Sequence, residues 1–232
     1  MKKFIRKIYF LLYYNLFLKR KNTETAFERI GAFKFTVPPT VFNPVEYYSS
    51  EVFANFIETL DLSGKNILDM GCGSGIVSVF AASKGAKCFA IDINPMSAKA
   101  AAQNALVNGF SKNVEAIEND LFDSLPPGFQ KKYDFIFFNP PYFKGIPKNN
   151  FERGFKGGEN YEVIKTFIKD SKNFLAPDGI IYFIVSTDMD LGQLEGMFRE
   201  RGFEFIINEK IEKLFETFYI TKSFLIKAVE TN

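Results

Sequence analysis

The sequence predicts a doubly wound α/β domain: a mostly parallel sheet with helices on both faces and an antiparallel hairpin at the end. Three observations predict it. Short apolar runs bounded by turn residues recur along the chain, as in buried parallel strands. Helical patterns separate them, and strand–helix alternation of this kind builds a sheet covered on both sides. Of 232 residues, 47% are apolar and 24% charged, enough to bury a sizeable core.

The elements follow in chain order. Residues 1–22 hold seven cations (Lys2, Lys3, Arg6, Lys7, Lys19, Arg20 and Lys21) and no acid. The remaining 22 cations and 27 acids leave a body, 23–232, with a net charge of −5. Within the arm, 8–18 is aromatic and aliphatic, shorter than the roughly 20 residues a membrane helix needs. It runs into Lys19-Arg20-Lys21 instead of a small-residue cleavage site, so a secretory leader is not expected. Two readings of the arm stay open: an accessory helix packing its aromatic face on the domain, or a basic amphipathic arm contacting RNA or an anionic membrane.

Strands are predicted at Asn66–Met70, 87–91, Val114–Glu118, Tyr133–Phe138 and 180–185. Asn94-Pro95 is an N-cap followed by proline at the first helical position, opening the alanine-rich run 96–108 that Gly109 ends. Ile164, Phe167, Ile168, Phe174 and Leu175 mark the face of another helix, closed by Pro177-Asp178-Gly179. Leu191, Leu194 and Phe198 mark a third, ended by Gly202. Residues 203–207 and 218–228 both read as strands with no crossover helix between them, hence the antiparallel hairpin.

Histidine is absent, which excludes Ser-His-Asp and Cys-His catalysis, HExxH zinc sites and any imidazole base. Cys72 and Cys88 are the only cysteines, too few for a disulfide framework or a four-thiolate zinc site. A reducing, cytoplasmic setting and no metal are therefore expected. The chemistry must come from carboxylates, amides, hydroxyls, the backbone and a bound cofactor.

The first chemical motif is Asp69-Met70-Gly71-Cys72-Gly73-Ser74-Gly75, directly after an apolar strand and before the apolar run 76–82. Glycines there let the backbone turn sharply and approach a ligand, and the following helix offers free N–H groups and a positive dipole end. Asp92 ends the next strand, where an acid accepts from ribose hydroxyls. No neighbouring cation marks Cys72 as a nucleophile, and it reads as a small filler of the turn. The glycine spacing is G-x-G-x-G, unlike the G-x-G-x-x-G of dinucleotide sites, which leaves a nicotinamide dehydrogenase as the lesser alternative. This segment resembles motif I of class I S-adenosylmethionine-dependent methyltransferases. The resemblance implies that Asp69 helps hold the methionine amino group and that Gly71, Gly73 and Gly75 make room for S-adenosyl-L-methionine. It also implies that Asp92, with Ile93, binds the ribose, and that Asp120 and Leu121 flank the adenine.

The second motif is Asn139-Pro140-Pro141-Tyr142, at the exit of a predicted strand. Paired prolines alone give a rigid extended exit, but an amide and a phenol beside them, at the end of a sheet where α/β ligands bind, point to chemistry. A planar nitrogen is a feeble nucleophile because its lone pair is delocalised. The Asn139 side-chain carbonyl and the Pro140 backbone carbonyl can both accept from such an NH2, and Tyr142 offers a ring for stacking. Proximity and orientation then carry most of the rate, with no histidine needed.

The tetrapeptide resembles motif IV of the amino-methyltransferases, in particular the small methyltransferase-domain superfamily. That group includes release-factor and ribosomal-protein glutamine methyltransferases and RNA enzymes acting on base amines. The resemblance spans roughly residues 40–185. It implies a Rossmann-like, seven-stranded sheet with an antiparallel C-terminal strand, catalysis by Asn139, Pro140 and Tyr142, a further cofactor contact from Asn139, and substrate contacts from Pro141, Tyr142 and Phe143. The stretch from Asn94 through Gln103-Asn104 to Asn108-Gly109 is typical of the group. Gly157-Gly158-Glu159-Asn160-Tyr161-Glu162-Val163-Ile164 resembles the glutamine enzymes, while Phe143 is closer to the tRNA adenine enzymes. The family's upstream Pro…Asp-Thr-Glu element is represented only by Pro44…Ser49-Ser50-Glu51, and the separate helical domain of some release-factor enzymes is missing. Between Phe143 and Asn160, a loop with Lys144, Lys148, Arg153, Lys156 and four glycines reads as a substrate-covering lid.

Methyl transfer from S-adenosyl-L-methionine to a planar nitrogen of a macromolecular acceptor is therefore expected. A protein glutamine of the translation apparatus leads, an RNA base amine follows, and a small-molecule acceptor or a non-catalytic cofactor-binding module comes after.

Overall fold

The fold is described from a computed structural model, over residues 24–43, 48–213 and 216–226. The basic arm, and both readings of it, lie outside the described residues. A hairpin of β1 (Ala26–Ile30) and β2 (Phe33–Val37) comes first, then helix α1 (Ser49–Glu58). Both escaped the sequence reading: in β1 only Ile30 is fully buried, so its apolar alternation is weak. Next come β3 (Asn66–Met70), α2 (Ile76–Ser83), β4 (Lys87–Asp92), α3 (Pro95–Val107), β5 (Val114–Glu118) and β6 (Tyr133–Phe138). The second half holds α4 (Asn150–Arg153), α5 (Glu162–Ser171), β7 (Leu175–Ser186), α6 (Leu191–Arg199), β8 (Phe203–Lys213) and β9 (Glu216–Leu225).

Seven of these strands form one sheet in the order β5-β4-β3-β6-β7-β9-β8. Strands β3 to β7 run parallel, and β9 lies antiparallel between β7 and β8. The Rossmann-like sheet with an antiparallel C-terminal strand is thus the observed architecture. The terminal hairpin is longer than its apolar residues suggest, because β8 continues through Glu209–Lys213 pairing after a bulge at Ile207/Glu209.

The α3 boundaries follow their caps: the Asn94 side chain accepts from Met96 N at 3.1 Å, and Pro95 opens the helix. Helix α5 departs from expectation. It stops at Ser171, whose hydroxyl donates to the Ile168 carbonyl at 3.1 Å. Phe174 then leaves the helix and accepts from Tyr133 N at 2.7 Å, and Leu175 opens β7. Pro177-Asp178-Gly179 thus lie within β7, at its register shift against β6, and do not close a helix. Competition from the start of β6, in the middle of the sheet, outweighed the helical periodicity.

Aromatic side chains fill both faces. Phe137 meets Phe53 of α1 edge-to-face at 5.5 Å on one side, and Phe183 meets Phe167 and Phe198 at 5.2 Å on the other. Asparagines on α3 bind the hairpin. Asn104 accepts from Thr36 N at 2.8 Å and donates to Thr36 O at 2.9 Å; Asn108 does the same with Lys34 at 3.0 and 2.7 Å. Two amides one helical turn apart thereby stand in for a neighbouring strand along β2. Asn104 also donates to Ser74 O at 2.9 Å, joining the hairpin to the glycine turn.

Asn104→Ala leaves Thr36 and Ser74 backbone groups without these partners. It should lower stability to urea by about 2–4 kcal/mol, and hydrogen exchange should show the β2 amides losing protection ahead of the main sheet.

Candidate functional site

Strand order reverses between β3 and β6, and in such sheets ligands bind outside the carboxyl ends of the strands. The register is decisive. Met70 pairs with Phe138, so the next residues, Gly71 and Asn139, leave adjacent strands side by side. Met70 pairs with Ile91 and Asp92 with Glu118, which carries Asp92, then Asn119 and Asp120, along the same edge.

The glycine turn is held from two sides. Asp92 accepts from Gly73 N at 2.9 Å through one oxygen and from Asn94 N at 2.8 Å through the other, with Ser97 as a further donor. Burial pushes its pKa up, opposed by these donors. Asp69, 3% exposed, accepts from Ser78 N at 3.1 Å and from the Ser78 hydroxyl at 2.6 Å. Its first structural task is therefore to fasten the opening turn of α2 to β3. Burial raises its pKa from 3.8 to about 7, the Ser78 bonds pulling the other way. Gly75 lies at φ +80, where an added Cβ would sit 2.7 Å from Ala101 Cα, so the turn and α3 pack backbone to backbone. Gly73 differs: it has φ +54 and open space where its Cβ would be. Cys72 is buried, with its thiol pushed well up, which suits a filler better than a nucleophile.

At the end of β5, Asn119 shapes the turn that holds Asp120 and Leu121. Its N–H donates to Asp92 O at 2.9 Å, and its side chain donates to Leu121 O and Asp123 O at 3.1 and 2.7 Å. Asp120 is exposed, and Ile93 is half-buried beside Asp92.

In the tetrapeptide, Pro140 and Pro141 are buried and Asn139 is half-buried. The Asn139 amide donates to Ser49 Oγ at 3.1 Å. Tyr142 is 9% exposed and belongs to the core cluster with Phe138 and Tyr161, whereas Phe143, 5.2 Å away, is 38% exposed. The exposed ring of the pair is Phe143.

The following loop folds back on the motif. Phe143 N donates to Phe155 O at 2.9 Å and Gly157 N to Phe143 O at 3.0 Å, and Gly145 and Gly158 exchange bonds of 3.0 and 3.2 Å. A Cβ on Gly157 would strike the Pro141 carbonyl, so this glycine permits the loop to seat against the tetrapeptide. Glu152 accepts from Lys148 N and Lys156 Nζ, both at 2.9 Å, and Lys144 Nζ stands 5.0 Å from the Tyr161 ring centroid. Among the described residues no group of three or more His, Cys, Asp or Glu side chains is placed to hold a metal ion, and no helix is long and apolar enough to cross a membrane.

Motif I, Asp92 and the tetrapeptide thus share one edge, as expected, with Asp120 and Leu121 along it. The residues missed are Ser78 and Asn119, together with the hydrogen-bonding roles of Ser49 and Asn104, which the family resemblance had marked without saying what they hold. Each is a small polar side chain whose partner is distant in sequence or is backbone, and no spacing rule marks such a pair.

A seven-stranded sheet with a glycine turn and an Asn-Pro-Pro-Tyr exit on adjacent strands defines a methyltransferase. Residues 33–210 match the methyltransferase small domain. A protein of Methanocaldococcus jannaschii, provisionally assigned as a protein N5-glutamine methyltransferase, is 30% identical over 196 residues, covering 81% of this chain and 93% of that protein. A tRNA1(Val) (adenine(37)-N6)-methyltransferase of a Flavobacteriaceae bacterium is 35% identical over 124 residues, 52% of this chain and 51% of that one. Among solved structures, the Mtq2–Trm112 complex of E. cuniculi, responsible for methylating the termination factor eRF1, superposes with a TM-score of 0.56 at 23% identity, over 81% of this chain and 99% of that chain. The chain belongs to the methyltransferase small domain family, and it is an S-adenosylmethionine-dependent N-methyltransferase.

The buried Asp69 makes a pH prediction. Folding raises its pKa from 3.8 to about 7, so the native state holds this proton more tightly than the unfolded chain. Its contribution to stability falls as pH rises through that window and is flat above it. Urea unfolding of the cofactor-free protein across the window should show this decline, and Asp69→Asn should flatten it. An unchanged slope in the variant would contradict the assignment.

Proposed function

We propose that the edge formed by the carboxyl ends of β3, β4, β5 and β6 binds S-adenosyl-L-methionine and presents it to a glutamine side-chain amide of a protein in the translation apparatus. The observation that carries the reading is the pairing of Met70 with Phe138, which sets the glycine turn beside Asn139.

The residues fit the cofactor. Open space in front of Gly73 is a cradle that any Cβ would fill. A carboxylate accepts up to about four hydrogen bonds, so Asp92, after taking Gly73 N, Asn94 N and Ser97, retains capacity for one ribose hydroxyl. Asp69, Gly71 and Gly75 would line the methionine end, Ile93 and Leu121 the adenine faces, and Asp120 the adenine amine. When bound, the cofactor supplies an electrophilic sulfonium methyl.

The chain does the rest by positioning. Asn139 Oδ1 and Pro140 O accept hydrogen bonds from the two N–H groups of the acceptor NH2, drawing its lone pair out of conjugation. The buried prolines hold those acceptors in a preformed arrangement. With no histidine in the chain, the nitrogen's proton leaves to water after transfer.

Two observations favour an amide over a base. The Tyr142 ring is packed in the core rather than offered as a stacking face. Of the loop cations, Lys156 is paired through its ammonium with Glu152, which takes that charge out of any phosphate-binding role for the lid. The likeness to the M. jannaschii protein points the same way. The second reading, an RNA base amine, draws on the exposed Phe143 ring, on the tRNA adenine relative and on the basic arm as an RNA or anionic-membrane contact. The cytoplasm suits either reading.

Calorimetry should detect S-adenosylmethionine but not NAD. Asp92→Ala should weaken cofactor binding by about 1.5–3 kcal/mol, the scale of charge-assisted hydrogen bonds. Asn139→Ala should keep most of the affinity and lose transfer by about 100-fold or more; full turnover in that variant would reduce the tetrapeptide to a structural turn.

For the acceptor, extract from cells lacking the protein is incubated with it and methyl-labelled cofactor. Aliquots are then digested with protease or ribonuclease. Label released by protease and resistant to ribonuclease is expected. Label lost only to ribonuclease would move the assignment to RNA, and no label in either fraction would point to a small molecule.

A further inference from the structure

We propose that Ser49, the first residue of α1, is a positioning residue for the reaction: its hydroxyl holds the plane of the Asn139 amide so that the side-chain carbonyl faces the acceptor nitrogen. The proposal rests on the reading of Asn139 given above.

An asparagine amide turns about a soft, nearly two-fold torsion. One orientation presents an acceptor to the incoming NH2; the other presents a second NH2, donor against donor, and cannot activate it. Pro140 fixes the backbone after Asn139 but leaves that torsion free. In the bond from Asn139 Nδ2 to Ser49 Oγ, 3.1 Å long, the hydroxyl is the acceptor, and in that role it selects the first orientation. With Nδ2 spent on Ser49, the atom left for substrate is Oδ1.

Ser49 can do this because it is itself immobilised. It is 4% exposed. Glu51, in the same first turn, pairs with Lys213 of β8 at 2.7 Å, and Lys213 Nζ lies 4.6 Å from the Tyr48 ring centroid. One turn further on, Phe53 packs edge-to-face on Phe137, two residues before Asn139 on β6. Helix α1 and the catalytic strand are thus docked together, and the separation of hydroxyl and amide is set by packing.

The test compares Ser49→Ala, Ser49→Thr and Asn139→Ala in the full chain. Readouts are single-turnover transfer to the labelled acceptor fraction, S-adenosylmethionine affinity by calorimetry, and the Asn139 side-chain NH2 resonances, identified by their loss in Asn139→Ala. In Ser49→Ala transfer should fall about 10- to 100-fold, the scale of small misplacements at a reacting centre. Cofactor affinity should stay within about threefold, and the NH2 resonances should shift and exchange faster with water. Ser49→Thr, which keeps the hydroxyl, should restore both. Should Ser49→Ala fail to fold, Ser49→Cys, with a poor acceptor of similar size, carries the same expectations.

Full-rate transfer without the hydroxyl, or unmoved NH2 resonances, overturns the proposal. So does Ser49→Thr behaving like Ser49→Ala. An inactive Asn139→Ala beside a fully active Ser49→Ala overturns only the role of Ser49, whereas a fully active Asn139→Ala overturns the functional reading beneath it.

Discussion

Met70 lies opposite Phe138 in the parallel pairing of β3 with β6, and the placing of the glycine turn beside the Asn-Pro-Pro-Tyr exit depends on that register. Side chains alternate between sheet faces with a period of two, so a slip of one residue would send the aromatic residues of β6 to the wrong faces. Phe137 would leave Phe53, and Phe138 would leave Phe167. Core packing on both faces thereby specifies which residues emerge together at the strand ends. The glycine turn and the tetrapeptide are neighbours because the phenylalanines before them cannot move.

The turn itself is a bargain between close approach and buried charge. Gly75 lets α2 begin against the backbone of α3, and two carboxylates hold the loop by accepting its N–H groups. Both carboxylates have raised pKa values, because burial disfavours their charged form against the pull of these donors. The same economy governs the N-terminal hairpin, whose free edge is met by the amides of Asn104 and Asn108, placing it over the glycine turn without a third strand.

Much of this was legible in order along the chain. The strands Asn66–Met70 and Tyr133–Phe138 coincide with their apolar runs, because central strands covered on both faces carry a strong, continuous signal. Helix α3 was legible because Asn94 and Pro95 act on the nearest backbone. The hairpin 26–37 was not, since its burial depends on α3, some seventy residues away. The α5 pattern over-ran to Leu175 because periodicity cannot see that Tyr133 N claims the Phe174 carbonyl.

The sequence by itself determined which chemistry was open to the protein: no imidazole, too few thiols, a glycine turn between acids, and an amide held between a phenylalanine and two prolines. Those are local facts of composition and covalent order, and they bound the chemistry without any knowledge of the fold. Only the tertiary structure decided how the groups are aimed. Ser49 holds the Asn139 amide from 90 residues away, Ser78 takes up an oxygen of Asp69, and Tyr142 turns its ring into the core. A hydrogen bond or a ring's burial depends on distances between elements, and those distances are set by the packing of many side chains at once, which no segment of the chain contains.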